Sequence, residues 1–223
     1  MKQQLTLGIR LRDDATFDNY FAGQNEQVVY NLKLQDEPYV FLFGENGTGK
    51  SHLLQAACHQ IGKNGLPVVY LPLAEEGLMP AMLDGLESMS LIALDDIHNV
   101  IGDEHWEQAL FNLYNRAREK GVNILVSSAE SLTSLNIKLA DLKSRLSWGP
   151  IYKLTALTDS EKQLALQERA KNRGLDLTDD VVTYLLKRSA RDMTSLFALF
   201  EKLDRASMVE KRKLTIPFIK SYL

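Results

Sequence analysis

The chain has 223 residues, 45% of them apolar and 25% charged, and a formal net charge of −3. This composition excludes a disordered polymer, and the length suffices for one sizeable domain or a domain with a small companion. The slight acidity excludes global attraction to nucleic acid or anionic membrane, and no apolar run approaches the length of a membrane span. A single cysteine, Cys58, cannot form an intramolecular disulfide, which predicts a reducing, cytoplasmic setting; its neighbours Leu54, Ala56 and Ala57 predict a buried helical thiol.

Residues 1–14 carry no helix-long periodicity and read as a flexible tail. After them, short apolar runs at 39–43, 68–71, 91–94, 123–126 and 151–154 alternate with amphipathic stretches. Nearly continuous apolar runs of this length predict strands buried on both faces of a parallel sheet. The stretches between them predict helices at 51–62 and at 103–120, the second with Trp106, Leu110, Leu113 and Ala117 on one face. Gly62, Gly65 and Gly121 stand where helices stop. The alternation predicts a doubly wound α/β core.

The rhythm changes after Leu157. Thr158-Asp159-Ser160-Glu161 has the form of a capping box opening a helix towards Gly174. Thr178 is the cap of a second helix carrying Val181, Val182, Leu185 and Leu186; a third runs through Leu196, Phe197, Phe200 and Leu203. Thr215-Ile216-Pro217 starts a fourth, with proline tolerated in the first turn. The predicted organisation is a tail over 1–14, a nucleotide-binding α/β domain over 15–155 and a small all-helical domain over 156–223.

Between the first predicted strand and the first predicted helix lies Gly44-Glu45-Asn46-Gly47-Thr48-Gly49-Lys50-Ser51, which fits the Walker A pattern. Glycines let the backbone curl so that its N–H groups converge on phosphate oxygens, and the following helix, starting through His52, turns its N-terminus to the same anion. Lys50 supplies a mobile positive charge and Ser51 a hydroxyl for Mg²⁺. The partner element is expected on a neighbouring strand, as an apolar run ending in acid. The run 91–94 followed by Asp95 and Asp96 supplies it: Asp95 to orient Mg²⁺ through its water shell, Asp96 to polarise an attacking water. Ser127-Ser128, ending the fourth strand, suits a polar probe of the phosphate. The four histidines lack cysteine or carboxylate company at metal-ligand spacing and read as surface or core residues.

Two segments carry a family resemblance. Thr16-Phe17-Asp18-Asn19-Tyr20-Phe21-Ala22-Gly23-Gln24-Asn25 resembles the start of the nucleotide domain of the bacterial initiator DnaA, an AAA+ protein. Leu142-Lys143-Ser144-Arg145-Leu146-Ser147-Trp148-Gly149 resembles that family's arginine-finger region. The resemblance covers the chain from about Thr16 onward and implies a P-loop AAA+ domain followed by a helical lid. It implies that Tyr20 and Phe21 wall the base, with core packing as their alternative, and that Arg145 reaches a partner's ATP in trans; a salt bridge or a hook into its own fold is the alternative for Arg145. It also shows departures. Ala129 stands where the family has an aspartate after the serine of the fourth strand. Thr194 stands where it has a phosphate-sensing arginine, with Arg191 one turn away.

Gln4-Leu5-Thr6-Leu7-Gly8-Ile9 resembles the motif by which replication proteins dock on the DNA sliding clamp. Leu7 and Ile9, with Leu5, can enter a hydrophobic pocket while the Gln4 amide anchors its entrance. Leu223 leaves no room for the family's helix-turn-helix DNA reader, so DNA is expected to be met only through the clamp. Together these features resemble the short regulators within the DnaA family. The implied activity is a clamp-docked adaptor that holds ADP (or ATP) with Mg²⁺ and stimulates hydrolysis of the ATP on DnaA, so inhibiting replication initiation. The alternative is an autonomous AAA+ ATPase, such as a helicase loader or remodelling factor. The losses at Ala129 and Thr194 count against rapid turnover of the chain's own nucleotide. AAA+ domains tend to pair head to tail, so a homo-oligomer is a further expected partner state, and no membrane is expected.

Overall fold

The structure is a computed structural model that describes residues 11–188 and 193–222. Gln4, Leu5, Leu7, Ile9, Arg191 and the side chain of Thr194 lie outside the described residues.

The first unit follows the predicted alternation. Helix α1 (Glu26–Leu34) precedes β1 (Tyr39–Phe43), and the glycine-rich loop leads into α2 (Lys50–Gly62) and β2 (Val68–Pro72). Then come β3 (Leu91–Asp95), α3 (Glu104–Lys120), β4 (Asn123–Ser128), α4 (Ala140–Leu146) and β5 (Ile151–Lys153). The five strands form one parallel sheet in the order β2-β3-β4-β1-β5. Side chains alternate across it as the two-residue period of a strand requires. Phe41, Ile92, Leu94, Ile124 and Val126 join the core under α3 and α4, while Val40, Leu42, Leu91, Ala93 and Leu125 join the core under α1 and α2. A sheet covered on both faces explains why its strands read as unbroken apolar runs.

Three features depart from the expectation. The acid-tipped strand β3 does not neighbour β1, because β4 lies between them. The β2–β3 connection is not an α-helix but contains the short 3-10 turns Pro80–Leu83 and Leu86–Ser88, in a stretch punctuated by Pro72, Gly77, Pro80 and Gly85. Finally, the described end of the predicted tail is docked. The Arg12 amide donates to Gln55 Oε1 at 2.9 Å, His59 Nε2 donates to the Arg12 carbonyl at 2.9 Å, and Leu11 packs against the α1–α2 core.

Compact units divide between Leu154 and Thr155, with the loop tip Asn46–Thr48 grouped with the second unit. That unit contains α5 (Asp159–Asn172), α6 (Asp179–Arg188), α7 (Met193–Glu210) and α8 (Ile216–Lys220). Thr158 and Glu161 form the reciprocal capping box expected at the start of α5. Leu166, Val182, Leu185, Phe200, Leu203 and Phe218 build the unit's core. Ion pairs Arg169–Glu201 at 2.6 Å and Arg173–Asp204 at 2.9 Å tie α5 to α7. Among the described residues no helix is long and apolar enough to cross a membrane.

Candidate nucleotide-binding site

The glycine-rich loop leaves the end of β1 and enters α2 through Gly49, whose φ of 91° lies in the left-handed region. A side chain there is excluded twice: by that φ, and by the Tyr20 ring, whose Cε2 would sit 2.5 Å from an added Cβ. Lys50 is 5% exposed, and its ammonium donates to the carbonyls of Gly44 at 2.8 Å and Glu45 at 3.1 Å. Burial pulls its pKa down, against the attraction of Asp96 and Asp95. The loop backbone, the first-turn amides of α2 and this captive cation are the kinds of group that bind a polyanion.

At the tip of β3 the two aspartates take different roles. Asp95 is buried, and both of its oxygens accept hydroxyls: Oδ2 from Tyr70 at 2.6 Å and Oδ1 from Ser127. Tyr70 comes from β2, and burial beside Asp95 raises its pKa. Gln55 accepts the Arg12 amide, which ties the N-terminal segment to α2. Asp96 adopts φ 56°, a left-handed turn that aspartate tolerates. Its amide donates to Ser127 Oγ at 2.9 Å, and its carboxylate lies 4.0 Å from His98 Nδ1. His98 Nδ1 accepts the Ala129 amide at 3.2 Å, which places the ring proton on Nε2 when the imidazole is neutral.

Burial, reinforced by Asp95, raises the Asp96 pKa against the pull of Lys50 and His98. A carboxyl with a raised folded-state pKa contributes its stability below the unfolded value and loses it as pH rises through the folded one. Asp96→Asn is therefore expected to raise the melting temperature of the nucleotide-free protein by a few degrees at pH 7.5, with the gain vanishing at low pH. Scanning calorimetry from pH 4 to 8 checks this; a variant less stable at pH 7.5 than at pH 4, relative to the parent, contradicts it.

The predicted residues are not all where their roles require. Ser127 and Ser128 are fully buried: Ser127 clamps Asp95 and Asp96, and Ser128 Oγ accepts the Glu130 amide, so neither is a free phosphate probe. His52 Nε2 donates to the Thr16 carbonyl at 2.7 Å and its ring lies 5.5 Å from that of Tyr20, so its imidazole anchors the N-terminal segment. Tyr20 covers the start of α2, with burial pushing its pKa up to about 12, and Phe21 is half-buried beside it in sequence. Cys58 is fully buried, as expected.

Arg145 lies at the end of α4. Its Nε donates to Asn115 Oδ1 at 3.0 Å, and its guanidinium stacks 4.3 Å from the Trp148 ring centroid. Arg118 stacks on the same indole at 4.7 Å. Among the described residues neither guanidinium has a carboxylate within ion-pair distance. Sequence reasoning did not identify Tyr70, Asn115 or Arg118; each is an ordinary strand or helix residue by pattern, and only the folded register makes them neighbours of the site groups. Among the described residues no group of three or more His, Cys, Asp or Glu side chains could hold a metal ion. The oxygen donors that suit Mg²⁺ are Ser51 and Asp95, right in kind for a hard cation, with Asp95 engaged by Tyr70 and Ser127.

Residues 11–153 match the family described as the bacterial DnaA ATPase domain, and residues 159–223 match that described as the Hda lid domain. Among solved structures, AMPPCP-bound DnaA from Aquifex aeolicus is 22% identical with a TM-score of 0.75, covering 88% of this chain and 67% of that one. Domain III of Thermotoga maritima DnaA is 18% identical with a TM-score of 0.77, covering 95% and 96%. The Thermotoga maritima Holliday-junction motor RuvB is 17% identical with a TM-score of 0.65, covering 92% and 72%. At these identities the structural likeness establishes the fold.

Proposed function

This chain belongs to the Hda/DnaA-like AAA+ family, and on that basis we propose that it is a nucleotide-holding adaptor that stimulates hydrolysis of ATP bound to DnaA. The observation that carries the reading is Arg145, a guanidinium without a carboxylate partner among the described residues, held by Asn115 and Trp148 in the segment that resembles the family's finger. An arginine delivered in trans stabilises charge developing on the transferring phosphoryl group.

The resident group in this reading is ADP, with ATP as the other occupant. It is bound by the loop from Gly44 through Ser51, the start of α2 at His52, and Lys50, with Tyr20 and Phe21 towards the base. Mg²⁺ would take Ser51 and, through its waters, Asp95; Asp96 would orient a water. Gln4, Leu5, Leu7 and Ile9 dock the chain on the sliding clamp, in the cytoplasm, and DNA is met through that clamp. The result is negative regulation of initiation.

The buried Asp95, closed by two hydroxyls, favours holding over turnover and counts against an autonomous loader ATPase. The test is to load DnaA with radiolabelled ATP, add clamp on DNA, and follow hydrolysis with and without this chain. Stimulation that requires both the chain and the clamp is expected. Hydrolysis unchanged by the chain overturns the adaptor reading, and rapid ATP turnover by the chain alone favours the loader.

A further inference from the structure

We propose that the C-terminal ends of α6, α7 and α8 form one docking surface for the phosphate backbone of duplex DNA, so that the second unit touches DNA directly. This contact is additional to the clamp and does not depend on the adaptor reading. Its basis is six cations from separate segments that the fold brings together. Lys187 and Arg188 close α6, Lys211, Arg212 and Lys213 follow α7, and Lys220 closes α8; all six are exposed. Arg188 lies 5.7 Å and Lys220 6.0 Å from the Tyr184 ring centroid, which joins the end of α8 to the end of α6. The Tyr222 hydroxyl donates to Glu210, the last residue of α7, and Arg212 lies 5.3 Å from the Phe218 ring centroid, which joins α7 to the same end of α8.

Among the described residues, only Arg212 of the six has a carboxylate within ion-pair distance, Glu210 at 3.2 Å. Glu201 and Asp204 are taken by Arg169 and Arg173 on α5. Asp179 and Asp180 open α6 at its other end, about 12 Å of helix away. Cations in a last turn complement the carbonyl end of a helix, but each such end carries only about half a charge. Three helix ends and one carboxylate therefore leave an excess of about three positive charges, in a chain whose net charge is −3. Such a surface takes a polyanion. The large apolar side chains exposed beside it, Met208 and Val209, are too few to form a lipid anchor or an interface core. Tyr184 is half-buried with cations over its ring, so it offers no open aromatic face to an unpaired base. Cations without stacking groups suit the closely spaced phosphates of a duplex, contacted without regard to sequence.

The test uses the full chain without the clamp and a fluorescein-labelled duplex of about 20 base pairs, followed by anisotropy from about 50 to about 200 mM NaCl. With about four phosphates contacted, binding should weaken about 100-fold across that range. Lys187→Glu/Lys213→Glu/Lys220→Glu should bind at least about tenfold more weakly than the parent at the lower salt, with a shallower salt dependence. Lys63→Glu/Lys120→Glu/Lys171→Glu makes the same change in net charge through exposed lysines elsewhere, and should alter binding by less than about threefold. Melting temperatures are measured in parallel, and Lys187→Gln/Lys213→Gln/Lys220→Gln takes the place of the reversed set if that set does not fold. No binding by the parent at the lower salt overturns the proposal, as does an equal loss in the two sets of variants or parent-like binding by a folded variant of the surface. Tighter binding to phosphatidylglycerol vesicles than to the duplex assigns the surface to lipid and overturns it too. Each result stands whether or not the chain acts on DnaA-bound ATP.

Discussion

Arg145→Ala is expected to reduce the stimulated hydrolysis of DnaA-bound ATP by about 10³-fold or more, the scale on which arginine fingers act. The folded chain should survive the change. Arg145 is half-buried at the end of a short helix, and its loss removes one hydrogen bond to Asn115 and the ring contacts on Trp148 and Phe111. Contacts of those kinds are each worth about 1 kcal/mol. Arg145→Lys is the sharper control. It keeps the charge, but an ammonium lacks the planar fork that lets one nitrogen bond Asn115 while the plane stacks on Trp148. Little rescue is therefore expected from lysine. Single-turnover hydrolysis on clamp-loaded DNA, with melting temperatures measured in parallel, decides it; a well-folded alanine variant with full stimulation removes Arg145 from the mechanism.

Gly149→Ala should be the most destabilising single change in the first unit. A Cβ at Gly149 would fall 1.7 Å from the Tyr39 carbonyl oxygen and 2.6 Å from its carbon. Those are backbone atoms at the start of β1, so no rotamer change can relieve the clash. Either β1 or the segment leading into β5 must move, and β5 pairs with β1 alone. The neighbouring bond from the Phe41 amide to the Pro150 carbonyl, 3.1 Å, would be disturbed with it. Over-packing on this scale costs about 3 kcal/mol. For a chain of this size that lowers the melting temperature by roughly 6–12 °C. Calorimetry or urea unfolding reads it directly, and a variant melting with the parent would mean that the strand shifts freely. The displacement would also reach Trp148, one residue away, and with it the platform under Arg145.

How legible each part was follows from how local its cause is. The strands were readable because a sheet covered on both faces demands consecutive apolar residues, as in Val40, Phe41 and Leu42. Helix α1 was missed: it is short, its N-cap Asn25 makes no side-chain cap bond, and its buried residues Val28, Val29 and Leu32 make only a weak pattern. The phosphate loop and the Asp95-Asp96 tip were readable because their chemistry sits in contiguous residues. The roles of Ser127 and Ser128 were not, since the sequence places hydroxyls at a strand end without saying which way the pleat turns them.

The glycine-rich loop, the parallel α/β class, the helical second unit and the family resemblance were determined by the sequence by itself. Each depends on spacing along the backbone, on a period of two or of 3.6, or on a run of residues that must curl around an anion. The tertiary structure alone decided what surrounds those groups. It set β4 between the loop-bearing β1 and the acid-tipped β3, brought Tyr70 onto Asp95, and stacked two arginines on Trp148. Apart from the stack of Arg145 on the nearby Trp148, these are contacts between residues tens of positions apart. Strand order and side-chain packing create them, and no local pattern in the chain encodes either.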